Sequence, residues 1–304
     1  MRDLINFSYN IDATNLRQFG EVFYLAHENY YIYIIPVGDE KNSIFFHLLK
    51  LINDSSHFTH LLTTNGAPTI EINNTHFYCI VSTFKLHQTI NEWQLNIPAL
   101  YPKQYPLAAH FKTKWLQKNQ VHEQYLNLAL DKTPPMMRAV LFDLATYYIH
   151  LSEEAYRLLR PFEQAPFSTS LSHVRLKPNT QLYEFFMPSY LTLDNRSRIY
   201  CEYIRHLFLE TLDLQLVARV VAHIVNNDPL SETEWRFLYA RLYFPTHFYD
   251  IVYDIVKHSE VNLDAIYEQT MHYSTLLAGL PTIVEQYCGI NLETPEWTKM
   301  DRQL

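Results

Sequence analysis

The fold class follows from one stretch near the start of the chain, EVFYLAHENYYIYIIPVG at residues 21–38. Both halves of this stretch are rich in aromatic and β-branched residues, which favour strands. The polar pair Glu28-Asn29 separates the halves, and Pro36 and Gly38 end the second one. We therefore predict two strands here, at the start of an N-terminal sheet.

The following residues continue this sheet and add one helix. From residue 40 to 53 the apolar spacing becomes helical, with a stripe at Ile44, Phe45, Leu48, Leu49 and Ile52. Three short strand-like runs come next, THLLTT, PTIEI and THFYCIVSTF, and the turn-forming pairs Asn65-Gly66 and Asn73-Asn74 separate them. Residues 1–84 are thus predicted to form a small lobe with an antiparallel sheet and one helix.

The rest of the chain is helical in pattern, apart from one interruption. Residues 85–105 are polar and contain two prolines, so they are the predicted hinge. Residues 106–304 are predicted to form a helical C-terminal lobe, with a β-insertion at about 166–195 that holds two strand-like pieces, SLSHVRL and QLYEFF. This order predicts an α+β, bilobal fold, and it resembles the protein-kinase and aminoglycoside phosphotransferase architecture.

Composition excludes several classes of function. The chain has 304 residues, with 24 basic against 32 acidic side chains, so a nucleic-acid partner is not expected. There are five glycines, and none lies between Gly66 and Gly279, which excludes the glycine-rich phosphate loops. No apolar run is long enough to span a membrane, and the first residues do not resemble a signal peptide. We therefore expect no membrane association and synthesis in the cytoplasm.

Metal and cysteine chemistry are not expected either. The fifteen histidines form no ligand pattern; His57 and His60 have no third ligand nearby, and His122-Glu123 lacks the second histidine of a zinc helix. The three cysteines are far apart and fall in predicted strands or helices, where thiols are usually inert. We predict no metal and no cofactor.

The segment from Ser172 to Thr180, SHVRLKPNT, occupies the place of the catalytic loop in aminoglycoside- and choline-kinase-like enzymes. Those enzymes carry His-Gly-Asp-x-x-x-x-Asn there. In this chain His173 matches the histidine and Pro178 a common proline, whereas Val174, Arg175 and Thr180 replace the glycine, the catalytic aspartate and the metal-binding asparagine. A guanidinium cannot accept the proton of a substrate hydroxyl, so the loop is predicted to be vestigial.

The next segment makes the resemblance specific. Residues 194–205, DNRSRIYCEYIR, resemble the Asp-His-Pro-Ser-Arg-Asp-Leu-Ala-Glu-Trp-Ile-Arg signature of the YutH group of bacterial spore coat proteins, which belong to the CotS family. The matching positions are Asp194, Ser197, Arg198, Glu202, Ile204 and Arg205. Residues 30–37, 145–155, 229–232 and 244–245 resemble further short motifs of the same family.

The chain departs from that family's phosphotransferase-like features at several points together. Ile199 replaces an aspartate of the signature, the strand YYIYIIPV has no lysine for the phosphates, and residues 187–190 contain no acid for a metal. The resemblance therefore implies a catalytically degenerate kinase fold that acts as a structural or interaction component of the spore coat. Its partners would be other coat proteins, with synthesis in the mother cell and deposition in the coat; the oligomeric state stays open.

The charged signature residues receive a structural role in this interpretation. Arg198, Glu202 and Arg205 are spaced to share one helix face, and Asp194 precedes the helix start, where a carboxylate favours the positive end of the helix dipole. A solvated charged face is the alternative.

Two functional alternatives remain at this stage, together with one surface prediction. The first is an active small-molecule kinase with Glu184 or Asp194 on the metal, and the second is a pseudokinase that still binds a ligand between its lobes. Residues 237–253 contain more rings than one core face can hide, so part of this stretch is predicted to be an exposed partner surface. Its rings are Tyr239, Tyr243, Phe244, Phe248, Tyr249 and Tyr253.

Overall fold

The computed structural model describes most of the chain. The described residues are 1–38, 43–88, 101–105, 108–165, 167–176, 180–258 and 262–295. They divide into two compact units, Met1–Lys103 with Thr169–Arg196, and Gln104–Ser168 with Ser197–Leu304. Most of the predicted hinge lies outside the described residues. Among those that are described, no helix combines the length and hydropathy needed to span a bilayer.

The N-terminal unit contains the predicted antiparallel sheet. Its elements are α1 (Arg2–Tyr9), β1 (Arg17–Phe19), β2 (Val22–Ala26), β3 (Tyr31–Gly38), α2 (Ser43–Asp54), β4 (Phe58–Leu61), β5 (Ile70–Ile72) and β6 (Thr75–Ser82). The strand order is β1-β2-β3-β6-β4, and β5 pairs with β6. Helix α2 and strands β2 to β6 lie where the sequence predicts them, whereas α1 and β1 are not predicted.

The sheet is buried on both faces because alternate side chains of its central strands enter two different cores. Tyr33 and Ile35 of β3 pack with Phe45 and Leu48 of α2. Ile32 and Ile34, which point the other way, pack with a cluster around Ile5 of α1. The continuous apolar character of β3 follows from this double burial.

A second, three-stranded sheet follows the order β7-β8-β9 and contains the predicted β-insertion. Its strands are β7 (Tyr101–Tyr105), β8 (Phe167–His173) and β9 (Leu191–Asn195). The prediction of a second strand-like piece at QLYEFF is wrong, because Leu182–Phe186 form a 3₁₀ turn that begins with a capping box between Gln181 and Glu184.

The insertion also differs from the predicted domain division. Residues 166–195 were assigned to the helical lobe, but Thr169–Arg196 cluster with the N-terminal unit. The physical reason is apolar packing: Leu171, Tyr183, Met187 and Leu191 are part of the same buried core as β3 and α2.

The second unit is helical, as predicted. Its helices are α3 (Ala108–Lys132), α4 (Pro135–Leu159), α5 (Ser197–Glu210), α6 (Leu214–Asn227), α7 (Glu232–Tyr243), α8 (Thr246–His258) and α9 (Leu263–Cys288). Helix α7 begins at a capping box in which the side chains of Ser231 and Glu234 each accept the other residue's backbone N–H. Together with the first unit, these helices confirm the α+β class.

The prediction of an exposed aromatic surface at residues 237–253 is wrong for most of its rings. Tyr239, Tyr243, Phe244 and Phe248 are buried, and Tyr253 is the exposed ring among the six. The rings are hidden because α7 and α8 have neighbours on more than one side, α7 contacting α4 and α5 while α8 contacts α3. The expectation of a single core face was therefore too restrictive.

Candidate functional site

His173 ends strand β8 and is almost fully buried. Its Nδ1 atom accepts a hydrogen bond from the backbone N–H of Arg175 at 3.2 Å. A neutral imidazole with an accepting Nδ1 carries its proton on Nε2, and this Nε2 atom lies 3.8 Å from the Glu184 carboxylate. The rings of Phe185 and Tyr190 flank the imidazole, with centroids 4.9 and 5.9 Å away. The histidine is thus held from several directions.

Glu184 is held in place by the chain that presents it. Its Oε1 atom accepts the backbone N–H of Gln181 at 2.7 Å, which completes the capping box of the 3₁₀ turn. Its Oε2 atom is the one that faces His173. No group of three or more potential metal ligands occurs among the described His, Cys, Asp and Glu residues. The hydrogen bond from Gln181 gives the Glu184 carboxylate a role in holding the 3₁₀ turn.

The strand register separates Asp194 from His173. In the β8–β9 ladder Asp194 lies opposite Ser170, and His173 lies opposite Leu191. Three positions along a strand correspond to about 10 Å, and the odd count puts the two side chains on opposite faces. Asp194 is buried, and its Oδ1 accepts the backbone N–H of Asn195 at 2.7 Å. The two predicted residues do not form one site.

The remaining loop residues have different environments. Thr180 is buried, whereas Arg175 is half-buried and Val174 is exposed. Pro178 lies outside the described residues. A threonine hydroxyl and a guanidinium supply neither a carboxylate base nor an anionic metal ligand.

The turn between β1 and β2 contacts this loop region directly. It consists of Gly20 and Glu21, because Phe19 already pairs with Val22. The Tyr190 hydroxyl donates to the Glu21 carboxylate at 3.3 Å, and the Tyr183 hydroxyl lies against Gly20. Burial, followed by the Glu21 and Glu184 carboxylates, raises the pKa of both tyrosines.

Gly20 is required by this contact. It has a positive φ of 57°, and a Cβ atom placed on it would lie 2.3 Å from the Tyr183 hydroxyl oxygen. Sequence reasoning missed this role, although a glycine in a two-residue turn of a glycine-poor chain was an available signal.

Three residues of the predicted structural motif, Arg198, Glu202 and Arg205, lie in α5, whereas Asp194 lies in β9. Arg205 donates through Nη1 to Glu202 Oε1 at 2.7 Å, and each side chain is 2% exposed. Arg205 also donates through Nη2 to the carbonyl oxygen of Arg241. Burial alone would lower the pKa of the Arg205 guanidinium, but the Glu202 carboxylate together with the Cys201 and Tyr273 side chains outweighs burial, and the pKa is raised. The solvated-face alternative is therefore wrong for this pair, while Arg198 is half-buried.

Arg241 extends the buried charge into an aromatic pocket. Its guanidinium carbon lies 5.0 Å from the ring centre of Phe237, 5.3 Å from that of Phe111 and 6.0 Å from that of Trp115. Such contacts stabilise a desolvated cation. The sequence does not predict the burial of Arg241, because two of its three aromatic partners, Phe111 and Trp115, lie far away in the sequence, on α3.

Comparison with known proteins identifies the family. The family model described as "Spore coat putative kinase YutH" matches residues 2–277. The chain belongs to the YutH spore coat family. A curated relative, the endospore coat-associated protein YutH of Bacillus subtilis (strain 168), is 34% identical over 130 residues, or 38% of this chain. The match spans about a third of that relative's length, 36%.

A solved structure supports the kinase-like fold of this YutH-family chain. The aminoglycoside phosphotransferase from Alicyclobacillus acidocaldarius superposes with a TM-score of 0.59, covering 89% of this chain and 92% of that one. The sequences are 13% identical, so the similarity concerns the fold alone. It confirms the predicted aminoglycoside phosphotransferase-like architecture.

Proposed function

We propose that this YutH-family chain is a non-catalytic kinase-fold protein that works as a structural component of the bacterial spore coat. The proposal has two parts, the lack of phosphoryl transfer and the place of action. The first rests on the loop region of the N-terminal unit, and the second on the family.

The contacts of the β1–β2 turn support the first part of the proposal, the lack of phosphoryl transfer. In protein kinases a glycine-rich loop covers the phosphates of the nucleotide. Here the first turn of the sheet is two residues long, Tyr190 holds it through Glu21, and the Tyr183 hydroxyl lies against Gly20. A phosphate beneath this turn would have to break those contacts and lie near the Glu21 and Glu184 carboxylates, which repel an anion.

The chemistry of the loop agrees with this proposal. Phosphoryl transfer needs a base for the attacking hydroxyl and oxygen ligands for Mg²⁺. At the position of the base stands Arg175, and the carboxylate nearest to His173 is bound to Gln181. These parts act as a unit, so their joint loss removes activity rather than slowing it.

The coat part follows from family membership and from the name of the B. subtilis relative. The proposed partners are other coat proteins, and the proposed route is synthesis in the mother cell followed by deposition on the developing spore. A fluorescent fusion should therefore form a shell around the spore late in sporulation. The Arg175→Ala variant should form the same shell, because no chemistry of the loop is needed. Diffuse fluorescence of the parent fusion in the mother cell would contradict the proposal.

A further inference from the structure

A small cavity lies among α3, α4 and α8 and shares no residue with the loop or with the buried pair in α5. Its volume is about 40 Å³, and it is partly open to solvent. One water molecule occupies roughly 10–15 Å³ of a cavity volume measured in this way, so this cavity has room for about three or four heavy atoms. Leu126, Ile149 and Val252 contribute apolar walls.

The polar groups of the cavity offer oxygen lone pairs. The Tyr249 hydroxyl donates to Asn119 Oδ1. The Asn119 amide donates to Ser152 Oγ at 2.8 Å, and that hydroxyl donates to the carbonyl oxygen of Ile149 at 2.8 Å. Both hydroxyl protons are therefore used within the protein. The second lone pairs of the tyrosine and amide oxygens can accept from a ligand, so the ligand should be a donor.

The cavity is lined by one negatively charged side chain and by several aromatic rings. Glu123 lines it, together with the rings of His122, Tyr148, Phe248 and Tyr249. The His122 and Tyr249 rings stack with centroids 3.7 Å apart, and Tyr148 stacks on Phe248 at 4.3 Å. Aromatic faces and a carboxylate both attract cations. Burial, then the Tyr156 hydroxyl and, to a smaller extent, the Glu123 carboxylate raise the pKa of the Tyr249 hydroxyl.

We propose that this cavity binds a primary alkylammonium group, such as the end of a small amine or of a lysine side chain. An alkylammonium supplies N–H donors for the oxygen atoms, charge for Glu123 and a methylene stem for the apolar walls. A quaternary ammonium head group has five heavy atoms and no N–H donor, so it satisfies neither the volume nor the hydrogen bonds. A neutral alcohol of the same length lacks the charge.

The test is thermal unfolding of the full chain with n-propylammonium, and with n-propanol and tetramethylammonium at the same concentrations and constant ionic strength. We expect a saturable rise in Tm with n-propylammonium alone. Glu123→Gln should weaken the apparent affinity about fivefold, since Glu123 is exposed and such a charge contributes about 1 kcal/mol. Asp131→Asn, at an exposed carboxylate of the same helix outside the cavity, should leave the affinity unchanged.

The same assay distinguishes a protein lysine from a free amine as the source of the alkylammonium group. Binding of Nα-acetyl-lysine methylamide, with the same dependence on Glu123, would indicate a protein lysine. Binding of n-propylammonium without the lysine analogue would indicate a free amine. The proposal is overturned if n-propylammonium gives no saturable shift, if n-propanol is equally effective, or if Glu123→Gln binds as well as the parent chain. None of these outcomes depends on the coat assignment.

Discussion

Gly20→Ala tests whether the β1–β2 turn is held against the loop region. The new Cβ would lie 2.3 Å from the Tyr183 hydroxyl oxygen, closer than real Cβ atoms approach, so the tyrosine must shift. The positive φ costs about 1–2 kcal/mol, and the forced shift of the Tyr183 side chain away from its preferred rotamer costs about 1 kcal/mol more. The free energy of unfolding should therefore fall by about 2–3 kcal/mol.

Two further variants make this test specific. Gly66 also has a positive φ, but no atom lies within 4 Å of a Cβ placed on it, so Gly66→Ala should cost only the backbone strain of about 1–2 kcal/mol. Tyr183→Phe removes the oxygen and leaves ring carbon Cζ, at 3.2 Å, as the nearest atom. Combining it with Gly20→Ala should relieve the clash, so the double variant should lose about 1 kcal/mol less than the sum of the singles.

Urea unfolding of the four variants and the parent chain measures these differences. The midpoint should fall in the order parent, Gly66→Ala, Gly20→Ala, with a positive coupling between positions 20 and 183. The reasoning is refuted if Gly20→Ala is no more destabilising than Gly66→Ala and the effects of Gly20→Ala and Tyr183→Phe simply add.

Two other predictions concern charge. Glu202→Gln leaves the Arg205 guanidinium buried without its counter-ion, so the free energy of unfolding should fall by about 3–5 kcal/mol. Glu232→Gln, in an exposed pair, should lower it by less than about 1 kcal/mol. Similar urea midpoints for the two variants would contradict this prediction. Burial, with help from neighbouring cations, lowers the pKa of His87 in the folded chain. As the pH falls, the unfolded chain therefore takes up a proton at His87 before the folded chain does, so the free energy of unfolding should fall below about pH 6.5. The His87→Phe variant should show a smaller fall between about pH 7 and pH 5. The same pH profile in the variant and the parent chain would contradict this prediction.

The sequence predicted those elements whose signals are local. The aromatic and β-branched runs in residues 21–38 and the turn pairs after β4 and β5 depend on neighbours along the chain, and each lies where the sequence predicts it. The YutH-type signature also contains Glu202 and Arg205, the residues of the buried ion pair. Helix α1 and strand β1 lack such signals and were missed.

What the sequence could not predict depends on contacts between distant residues. The β-insertion clusters with the N-terminal unit because its apolar side chains fit the core beside β3, which no local pattern reveals. Rings of α7 and α8 are buried because residues on other helices stack on them: Trp115 stacks on Phe237, and Tyr148 stacks on Phe248. For the loop, residue types showed that Arg175 replaces an acid, but the contact between Gly20 and Tyr183 required the fold.

Nucleotide binding tests the central claim most directly. If Mg²⁺-ATP bound with a Kd of about 0.1 mM, a concentration of about 1 mM would stabilise the folded chain by about 1.4 kcal/mol. With the Glu21 and Glu184 carboxylates beside a closed turn, we predict no change in the free energy of unfolding when Mg²⁺-ATP is added to the full chain. A stabilisation of that size, dependent on Mg²⁺ and saturating with ATP, would contradict the account.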